Sequence, residues 1–212
     1  MKQFESGRIN VCVIGEGERL VLLPASASEA ERIYALCDKG CTLAAIDGID
    51  WNRDLTPWAA KGVFKGRGDF GGGADALLSQ LTGDIMPGLG ASEYEKRYIA
   101  GYSLAGLFAL YAVTRTDRFD GAASVSGSLW FDGFGDHFAN APVHAGRIWF
   151  SLGDAERNAK NPRLAAVDAC TRAAYERVRS LSVESVYVTH RGGHFSEPER
   201  RIAEAISWLI NN

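Results

Sequence analysis

Short, continuously apolar segments alternate along the chain with segments of helical periodicity. The predicted strands are residues 8–14, 19–23, 42–46, 96–100, 121–125, 147–152 and 183–189. The predicted helices are residues 28–38, 74–86, 104–114, 162–179 and 197–210. Strands that are apolar on both faces are typical of a parallel sheet with helices packed on each side. The alternation therefore predicts an α/β fold with a mostly parallel central sheet.

Local signals add detail to three parts of this outline. Gly15 and Gly17 separate the first two predicted strands, which predicts a hairpin-like opening. Ser196 and Glu199 have the spacing of a capping box before the last helix, with Pro198 in its first turn. Residues 47–73 carry no regular pattern, and an irregular connection of that length is typically functional.

Composition limits the classes of protein to which the chain can belong. It has 212 residues, 46% of them hydrophobic and 23% charged, and its formal charge is −3. These values are typical of a folded globular domain, and they exclude a disordered chain or a strongly basic nucleic-acid-binding surface. No linker-like segment divides the chain, so a single domain over residues 1–212 is predicted.

Location and partners are predicted from the same survey. The first residues lack the apolar run of a signal peptide, and no segment approaches the ~18 apolar residues of a membrane span. The four cysteines do not complete a zinc-binding spacing and are expected to be reduced thiols. We therefore expect a cytoplasmic protein with no membrane or nucleic-acid partner, and the oligomeric state is left open.

The most informative segment runs from a predicted strand through a serine into a predicted helix. Gly101, Ala105 and Gly106 surround Ser103, which is the pattern of a nucleophile elbow, where small neighbours allow a tight turn. The N–H of Leu104 opens the helix, where free donors and the helix dipole favour an oxyanion. Ser103 could instead be an ordinary helix N-cap, but the strand–turn–helix context favours the elbow.

A catalytic serine needs a base, and the base needs an acid that orients it. On this type of scaffold the chain order is serine, acid, histidine, and each residue follows a strand. Asp154 and Glu156 both follow the strand at residues 147–152. Glu156 is predicted as the acid because it lies at the tip of the turn, and Asp154 is the alternative acid or a residue that braces the loop.

Four histidines compete for the role of base. His194 follows two glycines and precedes the last helix, so it can swing over Ser103 and is predicted as the base. His190 ends a strand, which fixes its side chain in the sheet. His137 and His144 lie in a polar segment and are expected at the surface.

Six motifs resemble those of one esterase family, in the same order along the chain. They are Asp50-Trp51-Asn52-Arg53-Asp54-Leu55-Thr56-Pro57-Trp58, Phe70-Gly71-Gly72-Gly73-Ala74-Asp75, Gly101-Tyr102-Ser103-Leu104-Ala105-Gly106-Leu107, Ser126-Gly127-Ser128-Leu129-Trp130, Ser151-Leu152-Gly153-Asp154-Ala155-Glu156 and Gly192-Gly193-His194-Phe195. The family is the group of α/β-hydrolases that contains enterochelin-type siderophore esterases, S-formylglutathione hydrolases and mycolyltransferases. The chain is most similar to its compact bacterial members.

The resemblance implies an α/β-hydrolase fold and assigns roles to the motif residues. It implies Ser103 as nucleophile, His194 as base and Glu156 at the position of the acid. It also implies an oxyanion hole built from the Leu104 N–H and from an N–H near Ala25.

Two irregular regions, residues 47–73 and 126–142, are predicted to form the substrate cleft. Their aromatic side chains suit an aryl or acyl ester, although they could instead pack a sheet edge; they are Trp51, Trp58, Phe64, Phe70, Trp130, Phe131 and Phe134. Arg53, Lys65 and Arg67 could meet an anionic substrate, but Asp54 and Asp69 lie beside them. The predicted substrate-binding residues are Trp51, Arg53, Asp54, Trp58, Phe70 and Trp130.

These observations predict a serine ester hydrolase that acts on a small-molecule ester through an acyl-enzyme. Siderophore-like or other aryl and acyl esters are the expected substrates, and no step requires a metal or organic cofactor. Two alternatives use the same scaffold. One is an acyltransferase that passes the acyl group to an alcohol, and the other is a non-catalytic binding module.

Overall fold

An eight-stranded sheet lies at the centre of the computed structural model, which describes residues 2–63, 66 and 68–211. The strands in this part of the chain are β1 Lys2–Ser6, β2 Ile9–Ile14, β3 Arg19–Pro24, β4 Cys41–Asp47, β5 Ala59–Ala60, β6 Phe70–Gly71, β7 Lys96–Tyr102, β8 Gly121–Val125, β9 Arg147–Gly153 and β10 Glu184–His190. Strands β5 and β6 form a separate two-stranded ribbon. The other eight form the central sheet.

The central sheet has the strand order β1-β2-β4-β3-β7-β8-β9-β10. The β1–β2 and β2–β4 pairs are antiparallel, and every pair from β4 to β10 is parallel. The mostly parallel sheet confirms the fold class predicted from the alternation. The predicted hairpin between the segments at 8–14 and 19–23 is wrong, because β4 lies between β2 and β3. Strand β2 pairs instead with β1. The sequence did not predict β1 as a strand, because most of its residues are polar.

Helices cover both faces of the sheet. They are α1 Ala27–Leu36, α2 Trp51–Asp54, α3 Ala74–Gln80, α4 Met86–Gly88, α5 Leu104–Arg115, α6 Phe134–Asn140, α7 Pro162–Ala165, α8 Val167–Ser180 and α9 Pro198–Ile210. Helices α1 and α9 pack on one face, and α3, α5, α6 and α8 pack on the other. Along β3, Leu20 and Leu22 belong to the core beneath α5, whereas Val21 and Leu23 belong to the core beneath α9. Both faces are buried, which explains the apolar strands.

Three helical predictions differ from the structure. The helix predicted at 74–86 consists of α3, a π-helical turn at Leu81–Ile85 and then α4, which contains Pro87 in its first turn. The helix predicted at 162–179 is divided at Ala166 into α7 and α8. The region predicted as irregular at 126–142 contains α6.

The predicted N-cap of the last helix is also wrong. The N-cap of α9 is Glu197, which has a left-handed backbone conformation with φ 50°. The hydroxyl of Ser196 instead accepts a hydrogen bond from the N–H of Gly193 at 3.1 Å. Ser196 therefore closes the turn that carries His194, and the capping-box spacing does not reveal this role.

The carboxyl ends of β7, β8, β9 and β10 meet at one edge of the sheet. Ser103, Glu156 and His194 follow β7, β9 and β10 at this edge. Ligands of open α/β sheets bind outside the carboxyl ends of the strands. Among residues 2–63, 66 and 68–211, no helix has the length and apolar character needed to cross a membrane.

Candidate active site

Ser103 lies on a strained turn between β7 and α5. Its backbone angles are φ 58° and ψ −120°, a conformation that costs an L residue on the order of 1–3 kcal/mol. Gly101 is needed on this turn, because a Cβ at position 101 would lie 2.7 Å from the Cβ of Ala105. The turn places the Ser103 side chain in a cleft at the edge of the sheet.

Ser103, His194 and Glu156 form a continuous hydrogen-bonded chain. Nε2 of His194 lies 3.1 Å from Oγ of Ser103, and Nδ1 of His194 lies 2.8 Å from Oε2 of Glu156. Both distances permit a hydrogen bond between a nucleophile, its base and an orienting acid. A proton on Nδ1, donated to Glu156, leaves Nε2 able to accept the proton of the serine hydroxyl.

Glu156 is buried, and several donors hold its carboxylate. Its Oε1 accepts hydrogen bonds from the Ser126 hydroxyl at 2.6 Å and from the Gly153 N–H at 2.8 Å. Burial raises the pKa of Glu156, but the hydrogen bonds from His194, Ser126 and Gly153 outweigh it, and the net pKa lies below the ordinary value. Glu156 is therefore ionised throughout the pH range in which an imidazole titrates.

Asp154 has a different task from Glu156. Its Oδ1 accepts a hydrogen bond from the N–H of Gly192 at 2.8 Å, and its own N–H donates to the carbonyl of His190 at 2.8 Å. Both contacts tie the loop after β9 to the loop after β10. The structure thus brings Glu156 to His194 and leaves Asp154 to brace the loop.

None of the other three histidines lines the cleft beside Ser103. His144 is exposed. Nδ1 of His190 lies 3.9 Å from Oε2 of Glu204, and burial lowers the pKa of His190. His137 is not at the surface as predicted: it is half-buried among aromatic rings, and its Nε2 lies 2.9 Å from Oγ1 of Thr114. Burial lowers the pKa of His137 as well.

The two predicted oxyanion donors are placed differently. Leu104 begins α5 and lines the cleft beside Ser103, and N–H groups of a first helical turn have no partner inside the helix. The N–H of Ala25 instead donates to the carbonyl of Ile46 at 3.2 Å, which continues the pairing of β3 with β4. The prediction that Ala25 is a donor is therefore wrong.

A cleft of about 340 Å³ opens over Ser103. Apolar side chains form much of its wall: Phe70, Trp130, Leu164, Val167 and Phe195. Polar side chains outside the triad also reach it: Asn52, Ser126, Ser128 and Asn158. Phe70 and Trp130 are thus the predicted substrate-binding residues that the structure brings to the cleft, one from each predicted cleft region.

Two of the aromatic residues predicted to bind substrate, Trp51 and Trp58, lie elsewhere. The ring of Trp58 packs against Phe131 at a centroid distance of 6.0 Å, and its N–H donates to the carbonyl of Asp132 at 2.8 Å. Trp51 is 40% exposed at the start of α2 and does not line the cleft. Three further residues of the prediction lie outside the described part of the chain: Phe64, Lys65 and Arg67.

Arg53 and Asp54, which are close in sequence to these tryptophans, form ion pairs outside the cleft. Asp54 is buried, and its carboxylate lies 2.6 Å from a guanidinium nitrogen of Arg8 and 2.9 Å from one of Arg53. The pair with Arg8 joins the turn between β1 and β2 to α2. Neither Arg53 nor Asp54 lines the cleft, so their prediction as substrate-binding residues is corrected.

The sequence analysis also missed residues of the cleft. Ser126 directly follows β8, just as Ser103 and Glu156 follow their strands, and that position could have identified it. Phe195 directly follows His194, the predicted base, and it is 87% exposed. Leu164 and Val167 reach the cleft from α7 and α8 through packing, which no local pattern records.

Comparison with sequence families gives an independent view of the chain. Residues 26–198 match the family model described as "Putative esterase". The uncharacterized protein YbbA of Bacillus subtilis (strain 168) is 28% identical over 168 residues, which are 74% of this chain. The match spans 65% of the length of YbbA, which is less than two thirds of that protein.

Solved structures share the fold. An IroE-like serine hydrolase from Shewanella oneidensis has a TM-score of 0.80 at 15% identity, and the match covers 99% of this chain and 79% of that one. The siderophore hydrolase EstA from Aspergillus nidulans has a TM-score of 0.72 at 17% identity, with coverage of 99% and 93%. Identities this low show the fold alone, which is the predicted α/β-hydrolase fold. Because the family model covers most of its length, the chain belongs to the Putative esterase family.

Proposed function

We propose that the protein is a serine carboxylesterase with the triad Ser103, His194 and Glu156. The observation that carries the proposal is the hydrogen-bonded chain from Ser103 through His194 to the buried Glu156, beside a largely apolar cleft. Family membership supports ester hydrolysis. The names of the structural neighbours, a serine hydrolase and a siderophore hydrolase, point to the same chemistry.

In the first half-reaction Ser103 attacks the carbonyl carbon of the ester. His194 removes the hydroxyl proton at Nε2, and Glu156 holds the ring and stabilises the imidazolium. The Leu104 N–H donates to the tetrahedral oxyanion, and such a donor is worth about 3–4 kcal/mol in measured cases. His194 then gives its proton to the leaving alcohol, and the acyl group remains on Ser103.

In the second half-reaction water replaces the alcohol. His194 takes a proton from the water as the oxygen attacks the acyl carbonyl, and it returns this proton to Oγ of Ser103 when the acid leaves. Each proton in the cycle therefore passes through one ring nitrogen. The chain's own residues supply every group that these steps require.

The cleft favours an ester with an apolar acyl or aryl group. Its wall is largely apolar, and the titratable groups among its described lining residues are Glu156 and His194 of the triad. Burial of apolar surface stabilises such a substrate by about 25 cal/mol per Å². Siderophore-like esters belong in the same test because siderophore hydrolases share the fold.

Hydrolysis of an ester panel by wild type and Ser103→Ala tests the proposal. The panel contains 4-nitrophenyl esters of increasing chain length, a feruloyl ester and a trilactone. Ser103→Ala should lose activity by about 10³-fold or more while its circular dichroism is unchanged, because the variant lacks the attacking oxygen alone. The exposed Ser79→Ala is the control and should keep full activity. A tenth of wild-type turnover in Ser103→Ala would contradict the mechanism.

Two further measurements separate this function from its alternatives. A fluorophosphonate should label wild type at Ser103 and leave Ser103→Ala unlabelled, whereas a binding module would not react. Addition of an acceptor alcohol should not divert the acyl group, whereas an acyltransferase would form a new ester. Cytoplasmic location stays a prediction from the sequence.

A further inference from the structure

Arg201, in the first turn of α9, is buried beside the triad without lining the cleft. It is 2% exposed. An arginine is almost never buried to this degree unless its guanidinium is paired. Its partners come from both of the loops that carry the base and the acid.

The guanidinium connects these two loops. Nη1 lies 3.5 Å from Oε1 of Glu156 and 3.4 Å from Oγ of Ser126. Nη2 donates to the carbonyl of Arg191 at 3.1 Å, in the loop between β10 and His194. One planar side chain therefore holds both the catalytic acid and the backbone that leads to the base.

The backbone beside this contact leaves no room for a larger residue. A Cβ at Gly153 would lie 2.3 Å from the carbonyl oxygen of Gly192 and 3.1 Å from both Nη1 of Arg201 and Oε1 of Glu156. Ser126 has a left-handed backbone with φ 48°, and its hydroxyl donates to Oε1 of Glu156 at 2.6 Å. The proton of that hydroxyl points to the carboxylate, which leaves its lone pairs for the guanidinium.

We propose that Arg201 is a positioning residue for the catalytic acid. It fixes Glu156 and the loop of His194 relative to one another, and its positive charge balances the buried carboxylate. This inference rests on the proposed serine esterase function.

The charged groups around the triad determine how the loss of Arg201 should change the pH dependence of kcat/KM. The titratable and charged groups packed around Glu156 and His194 are Tyr102 on β7, Tyr187 on β10 and Arg201 on α9, with Asp154 and Arg191 in the loops after β9 and β10. Glu197, Arg200 and Glu204 of α9 interact instead with His190 at the end of β10. Arg201 is buried, and its Nη1 approaches Oε1 of Glu156, whereas His194 contacts Oε2. Without Arg201, the negative charge of Glu156 holds a proton on His194 more strongly. The acid limb of kcat/KM should then move to higher pH.

The test compares three variants over about pH 5 to 9. Arg201→Met removes the charge and the forked donors, and Arg201→Lys keeps the charge alone. Arg200→Met is the matched control, because Arg200 is adjacent on the same helix, exposed and paired with Glu197 at 3.4 Å. Arg201→Met should lower kcat about tenfold or more, change KM less than about twofold, and raise the midpoint of the acid limb by about half a pH unit. Arg201→Lys should restore the limb and part of kcat, and Arg200→Met should match wild type.

A double-mutant cycle shows whether Arg201 acts through the acid. In a Glu156→Gln background, Arg201→Met should cost less than about twofold in kcat, because its target is already lost. Equal losses in both backgrounds, or a wild-type kcat and pH profile for Arg201→Met, would overturn the proposal. If Arg201→Met does not fold, Arg201→Lys is tested in the same two backgrounds. A loss of kcat that disappears in the Glu156→Gln background supports the proposal. Equal losses in both backgrounds, or no loss, overturn it. Activity in Ser103→Ala, measured alongside, would instead overturn the proposed function.

Discussion

Two carboxylates that stand two residues apart have different partners at the site. Glu156 starts a 3-10 turn after β9, and this turn buries its side chain against His194. Asp154 precedes the turn, stays exposed and accepts the N–H of Gly192. The backbone conformation after β9, rather than the chemistry of the side chains, decides which carboxylate contacts His194.

The roles of the two carboxylates can be separated by mutation. Glu156→Gln should lower kcat by about 10³-fold or more, because an amide favours the wrong imidazole tautomer and cannot stabilise the imidazolium. Asp154→Asn should lower kcat by about tenfold or less, since it keeps the loop contact nearly isosteric. Steady-state kinetics of both variants with one ester checks this. A larger loss of kcat in Asp154→Asn than in Glu156→Gln would show that Glu156 is not the acid.

The turn between β7 and α5 limits the size of the residues on either side of Ser103. β7 runs into α5 through a turn so tight that the space beside Gly101 is filled by the backbone and Cβ of Ala105. The strain at Ser103 persists because the strand, the helix and their packing determine the turn together. The packing of β7 and α5 therefore holds Ser103 in a conformation that its own backbone preference would not favour.

Gly101→Ala tests this constraint. The new methyl group must displace the start of α5, so the variant should lose about 2 kcal/mol or more of unfolding free energy and most of its kcat. Gly83→Ala is the matched control, because nothing lies within 4 Å of a Cβ at that position. It should be neutral or slightly stabilising. Urea denaturation and turnover of both variants give the comparison, and similar stabilities would contradict the steric argument.

At the scale of the whole molecule, buried ion pairs connect parts of the chain that are distant in sequence. Asp54 joins α2 to Arg8 in the N-terminal turn. Burial raises the pKa of Asp54, but hydrogen bonds from Arg53, the Asp50 N–H and Arg8 outweigh it and leave the pKa below its ordinary value. A carboxyl whose pKa is lowered by folding stabilises the protein above its unfolded pKa, and this contribution is lost as pH falls through the folded pKa.

We therefore expect the unfolding free energy to fall as the pH drops from about 5 to about 3. Asp54→Asn should cost about 1–2 kcal/mol at neutral pH, leave kcat unchanged and flatten the acid limb of stability. Asp69→Asn is the control, because its pair with Lys61 is exposed and should contribute little. Urea denaturation of the three proteins at several pH values measures the effect. A parallel loss of stability in wild type and Asp54→Asn would contradict it.

Features that depend on near neighbours along the chain could be predicted from the sequence alone. Strands buried on both faces must be apolar at every position, so the alternation with helices predicted the parallel sheet. A tight turn needs small residues two positions from its serine, so Gly101 and Ala105 pointed to the elbow at Ser103. The chain order of serine, acid and histidine follows from strands that end at one edge. The family and the fold predicted in this way are confirmed, and the catalytic roles stay predictions.

Contacts between groups that are distant in the chain could not be predicted in this way. The insertion of β4 between β2 and β3 commits the N–H of Ala25 to Ile46, which removes it as an oxyanion donor. Packing turns Trp58 and Asp54 away from the cleft, and it places Arg201 behind Glu156. These contacts join residues far apart in the chain. They depend on strand order and side-chain packing, and a local sequence pattern carries no record of either.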